Sequence, residues 1–274
     1  MTHTTTNASG RMPTWFIPHG GGPCFFMEWN PPHAWNRMAD FLKNVASTLP
    51  RTPKAILMVS AHWLTPDVTV TGAAQPELIY DYYGFPPHTY ELKYPAPGAP
   101  ALAAEIVQTL SAAGIASAMD AQRGFDHGMF IPLKLIFPEA NIPVVQLSLN
   151  DSLDPEQQLK TGRALEALRA QDVLIIGSGM SFHNMRAYGN PAYGPVSDNF
   201  DVWLTKAVES SPQERHQLLA NWTQAPGARD CHPVRAEEHL LPLMTVAGAA
   251  GNDAGRKVFS DCVLETTLSA YTFG

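Results

Sequence analysis

The stretch from Pro143 to Ile176 limits the possible fold more than any other part of the chain. Residues 143–149 read PVVQLSL, a short apolar run with the β-branched content of a strand. Asp154 then suits an N-cap, Pro155 fits the first helical position, and Gln157 completes the spacing of a capping box. This predicts a helix over 155–170, followed by a second strand over 173–176, VLII. Strands joined by one helix run parallel, because parallel pairing needs a crossover of about this length. Parallel strands need both faces covered, so the unit predicts an α/β sheet flanked by helices.

Other segments extend the pattern. Strands are expected over 14–17, 55–60 and 68–71, with a last one around 263–269. Helices are expected over 34–48, from Pro100 to a stop at Gly114, and over 196–210, 213–222 and 236–250. There are no repeats, low-complexity blocks or clear linkers. The expectation is one domain over 13–274, with a central mostly parallel or mixed sheet, behind a flexible tail over 1–12. Residues 75–98, rich in Pro, Tyr and Gly, are too long for an ordinary loop. Their rings need a surface to cover, so a lid or pocket wall is expected.

Histidines recur where this topology places ligands. His19 and His62 each lie two residues past an inferred strand, and His183 follows the strand over 173–176 through a glycine-containing loop. His239 falls in the first turn of the helix over 236–250. Ligands collect beyond the carboxyl ends of strands in open α/β sheets, and neutral imidazole is the commonest metal ligand. A lone histidine is more often structural, but two in the same topological place weaken that reading. Gly20 to Gly22 let main chain approach a ligand after His19. Glu238 is a competing ligand or a helix-start acid. His127, beside Asp126 in GFDHG, is either functional or part of a capped turn. His232, after Cys231, matches no metal spacing and reads as structural. No phosphate-binding glycine loop, GxSxG elbow or HExxH is present.

Composition excludes several classes. The formal net charge is −7 with no long basic run, which argues against nucleic acid. No apolar stretch reaches the roughly 18 residues of a membrane helix, and the first residues lack the apolar region of a secretory signal. Cys24, Cys231 and Cys262 form no CxxC pair, which fits a reducing cytoplasm.

Several motifs occur in order: IPHGGGP, ILMVSAHW, IYDYYGFPPHTYELKYPAPGAPALA, RGFDHGMFIPLKLIFPEANIPVVQLSL, LIIGSGMSFHN and HPVRAEEHLLPLMTVAGAA. From about residue 13 onward the chain resembles the DODA-type, class III (LigB-like) extradiol aromatic ring-opening dioxygenases. The resemblance implies a LigB-like fold and a non-haem site in which His19, His62 and His239 bind Fe(II), with zinc as an alternative bound metal. It implies that His183 is a fourth ligand or an acid/base, and that His127 is an acid/base or substrate contact. Asp81, Tyr82 and Phe85 would shape the substrate pocket. The implied partners are a small aromatic diol and O2, with the protein a monomer or homodimer. Such relatives often carry HGSP where this chain has His19-Gly20-Gly21-Gly22-Pro23. The rival readings are a zinc-dependent hydrolase, which all-histidine ligation also suits, and a non-enzymatic protein similar to the Memo family.

Overall fold

The computed structural model describes residues 10–274. Its strands are β1 (Thr14–Pro18), β2 (Ala55–Thr65), β3 (Val68–Thr71), β4 (Ser117–Asp120), β5 (Val144–Asn150), β6 (Val173–Gly179), β7 (Gly255–Val263) and β8 (Thr266–Phe273). The helices are α1 (Asn36–Val45), α2 (Pro100–Ala112), α3 (His127–Ile136), α4 (Pro155–Leu165), α5 (Gly194–Glu209), α6 (Pro212–Ala220), α7 (Ala228–Cys231) and α8 (Leu241–Ala249). The strands form one eight-stranded sheet in the order β4-β3-β5-β2-β6-β1-β8-β7. Its centre, β5-β2-β6-β1, is parallel, and β8 and β7 continue it antiparallel. The sheet is therefore mixed, with the expected parallel core.

The predicted β-α-β unit is β5-α4-β6, with β2 inserted between its two strands. β6 is buried along its whole length, as a strand covered on both faces should be. The helix cap differs in detail. Asp154 accepts from Glu156 N, so the cap closes one residue earlier than a Gln157 box would. A 3-10 turn over Glu166–Gln171 ends the segment, and Asp172 reverses it in the left-handed region.

Other boundaries move for physical reasons. β2 runs on to Thr65 because Leu64 and Thr65 pair again with Leu149 and Asn150 after a register shift. His62 thus sits in the irregular end of a strand rather than beyond it. α8 begins at Leu241, so His239 precedes the helix; Pro242 fits only a first turn. The expected strand over 263–269 is a hairpin, β7 and β8. Of the tail expected over 1–12, residues 1–9 lie outside the described residues. Met12 is fully buried and pairs with Arg169, and Arg11 bridges to Glu166 and Asp253. The end of that segment is anchored.

α4 and α8 cross at two glycines on the face of the sheet. A Cβ on Gly162 would lie 1.9 Å from Thr245 O, and one on Gly248 would lie 2.1 Å from Leu159 O. Main chain cannot yield as a side chain can. Gly162→Ala is expected to reduce the unfolding free energy by about 3 kcal/mol, at the upper end of overpacking costs. Urea unfolding measures it, and an unchanged midpoint contradicts the crossing.

Candidate metal centre

The parallel core delivers its histidines to one edge. His19 directly follows β1, and its N–H pairs with Gly179 O at 3.2 Å. His62 lies within the irregular part of β2, between Val59 and Leu64. His239 is drawn to the tip of β6 by main chain: Met180 N donates to His239 O at 2.9 Å. A Cβ on Gly179 would lie 2.1 Å from that same oxygen, so glycine is required for the approach. One potential ligand atom from each of His19, His62 and His239 lies within 4.8 Å of the others.

The ring orientations follow from what stands behind each imidazole. Ser178 Oγ donates its only proton to Gly128 O, so it accepts from His19 Nδ1 at 3.0 Å. His19 Nε2 therefore carries a lone pair. It faces His62 Nε2 at 3.0 Å. The His62 Nδ1 side faces the Asp81 carboxylate, 3.8 Å away. With the proton on that side, two lone pairs oppose each other, an arrangement that a cation between them satisfies. His239 Nδ1 bonds Glu238 Oε1 at 2.9 Å. Glu238 thus stands behind the imidazole. Burial, then neighbouring imidazoles, push the His19 and His239 pKa values well below 6.5. Burial lowers His62 too, with His127 adding to it and Asp81 opposing it. All three are neutral near pH 7, the form that binds metal.

The remaining predicted residues surround this group. His183 stacks flat on His239, with ring centroids 3.4 Å apart and planes 13° apart. Its ligand atom groups with Glu238 and His239 rather than with the His19–His62 pair. His183 Nδ1 is buried without a hydrogen-bond partner, and burial pushes the pKa down to about 4. His127 opens α3, and its ring centroid is 3.9 Å from that of His62. Its partner is not the adjacent Asp126. Asp126 Oδ1 accepts from Ser60 at 2.7 Å, and its Oδ2 accepts from Gln146 and Arg123. Asp81 Oδ1 accepts instead from both His127 N, at 2.9 Å, and His127 Nδ1, at 2.8 Å. Burial raises the Asp81 pKa, but the His127 hydrogen bonds and charge outweigh it and hold the group below its usual range.

The segment over 75–98 is ordered by its own side chains. Tyr80 OH donates to Leu92 O at 2.5 Å and Tyr82 OH to Thr89 O at 2.6 Å. The Tyr82 ring meets His127 edge-on at 5.5 Å, and Phe85 packs against Tyr82 at 5.6 Å. Tyr82 and Phe85 thus make an aromatic wall beside the imidazoles, with the Tyr82 hydroxyl already occupied. Sequence reasoning missed Ser178, whose only signal was its place between two glycines in a strand. It also missed Gly128, where a Cβ would lie 3.0 Å from the His62 ring.

His232 lies apart from this group. It is fully buried against Phe200 and Trp222, and its Nε2 bonds Ser181 O at 2.9 Å. Burial pushes its pKa down to about 3. The unfolded chain gains this proton near pH 6.5 and the folded one only near 3. Stability is thus present above about 6.5 and lost as pH falls between those values, by up to about 1.4 kcal/mol per unit. His232→Gln is expected to flatten that part of the curve, measured as unfolding midpoint against pH. An unaltered slope contradicts the assignment.

The chain is similar to several known proteins. Residues 13–273 match the family described as the catalytic LigB subunit of aromatic ring-opening dioxygenase. A dioxygenase named tasH, from Hapsidospora irregularis, is 40% identical over 288 residues, covering 97% of this chain and 86% of its own. A 4,5-DOPA dioxygenase extradiol from Portulaca grandiflora is 40% identical, over 80% of this chain and 79% of that protein. The protein of the same name from Escherichia coli K12 is 36% identical, over 88% and 86% respectively. The crystal structure of an uncharacterized Escherichia coli K12 protein superposes with a TM-score of 0.76 at 30% identity, covering 96% of this chain and all of the other.

Proposed function

Because the chain belongs to the family of catalytic LigB subunits of aromatic ring-opening dioxygenases, we propose that it is a non-haem iron(II) enzyme that opens a catechol-type diol with O2, beside rather than between the hydroxyls. The observation that carries this reading is the 3.0 Å approach of His19 Nε2 and His62 Nε2. A metal held by these three imidazoles alone would keep room for substrate and O2, as non-haem iron oxygenases require.

In this reading His19, His62 and His239 hold the metal. Iron(II) bound there would bring the diol oxygens and O2 side by side and pass electrons between them. His127 takes a phenolic proton at Nε2, since its Nδ1 proton is held by Asp81. His183, stacked on His239, is placed to pass a proton received from substrate back to it as the ring opens. Tyr82 and Phe85, packed beside the imidazoles, would shape the substrate side of the site. The relatives named for DOPA put L-DOPA among the first diols to try. Residues 13–274 act as one catalytic unit, cytoplasmic, as a monomer or homodimer. Among the described residues no helix is long and apolar enough to cross a membrane.

Protein stripped of metal and reloaded with Fe(II) without air should take up O2 with a catechol and form a yellow product. The zinc-loaded protein should not. No uptake with any catechol, despite bound iron, would overturn the reading in favour of a zinc hydrolase. Glu238→Gln keeps an acceptor behind His239, so iron content should stay at wild-type level. Loss of iron would make Glu238, not His239, the third ligand.

A further inference from the structure

Asp81 is placed to serve more than the pocket wall. Its two carboxylate oxygens face different histidines: Oδ1 accepts from the main-chain and Nδ1 positions of His127, and Oδ2 lies 3.8 Å from His62 Nδ1. A carboxylate can only accept, so the bond at 2.8 Å fixes the proton of neutral His127 on Nδ1 and leaves Nε2 free. The main-chain bond also secures the first turn of α3, where the capping position, Asp126, makes no side-chain cap. The carboxylate is in turn held by the aromatic segment around it. Tyr80 and Tyr82 flank it in sequence, and both hydroxyls are tied to main chain of the same segment.

We propose that Asp81 is a positioning residue that sets the His127 tautomer and steadies His62, so that the aromatic segment controls both proton transfer and metal retention through one carboxylate. This rests on the dioxygenase reading for its kinetic consequence but not for its tautomer consequence. Carboxylates behind imidazoles of metal sites orient the ring, and their removal costs about 10–100-fold in affinity or activity. Asp126, although adjacent to His127 in sequence, cannot substitute, because its oxygens already accept from Ser60, Gln146 and Arg123.

The test compares wild type, Asp81→Ala and Asp81→Asn. Nitrogen NMR of histidine-labelled, zinc-loaded protein reports which ring nitrogen of His127 carries the proton, without any turnover. Wild type should show the Nδ1–H form, Asp81→Asn should keep it, and Asp81→Ala should lose it. In the iron-loaded protein, Asp81→Ala should lower kcat with catechol by about 10–100-fold with little change in KM, and should weaken metal binding. Asp81→Asn should recover part of both. A wild-type Nε2–H form, or Asp81→Ala with an unchanged tautomer and unchanged kcat, would overturn the proposal. If Asp81→Ala does not fold, the comparison rests on wild type and Asp81→Asn: a wild-type Nδ1–H form retained in Asp81→Asn supports it, and its absence from wild type overturns it. If no catechol is turned over by any form, the dioxygenase reading fails while the tautomer measurement still decides this one.

Discussion

His19→Ala is expected to lose iron on gel filtration and to lower kcat/KM with catechol by roughly a thousandfold or more, since a catalytic metal supplies several kcal/mol and each ~1.4 kcal/mol is tenfold. The reason is geometric. His19 Nε2 is one half of the facing pair with His62, and the Ser178–Gly128 hydrogen bonds fix its orientation. Nothing else at the end of β1 can replace it, because the following Gly20 to Gly22 carry no side chains. Ser178→Ala is the milder control. It removes the tautomer restraint but not the ligand, so iron binding should weaken rather than vanish. Full iron content in His19→Ala, measured by metal analysis, would place the metal elsewhere.

His183→Ala should behave differently: iron stays bound, and kcat falls by about 10²–10⁴, the range of general acid–base contributions. His183 stacks on His239 instead of joining the His19–His62 pair, and its Nδ1 has no hydrogen-bond partner. A ring in that place can exchange protons with bound substrate without holding metal. If iron is lost along with activity, His183 is a ligand and the acid/base assignment falls. His183→Ala also removes one face of the His239 environment, so iron content and kcat must be measured on the same preparation.

The parallel core and its capped helix were legible because apolar runs, N-cap chemistry and proline position all agree there. The placing of the histidines followed from the same logic, since strand ends are a fixed address in an α/β sheet. What escaped was set by long-range contact or by unusual local chemistry. The β7–β8 hairpin turns at Leu264 and Glu265, both at positive φ, where Asn and Gly are the usual signal. α3 was hidden because Pro132 lies within it and its residues are apolar on nearly every side. β4 is a short, half-exposed edge strand. The Asp81–His127 contact spans 46 residues, and sequence adjacency pointed to Asp126 instead. The extension of β2 through His62 depends on its pairing with β5, which no local pattern announces.

The most direct test follows the oxygen. Iron-loaded protein given a catechol under isotopically labelled O2 in unlabelled water should yield a ring-opened product carrying both labelled atoms, detected by mass spectrometry after rapid borohydride reduction of the aldehyde, which keeps its oxygen from exchanging with water. His127 and His183 would then act on substrate oxygens rather than on a metal-bound water. A product whose new oxygen comes only from water would contradict the account and make the three-histidine site hydrolytic.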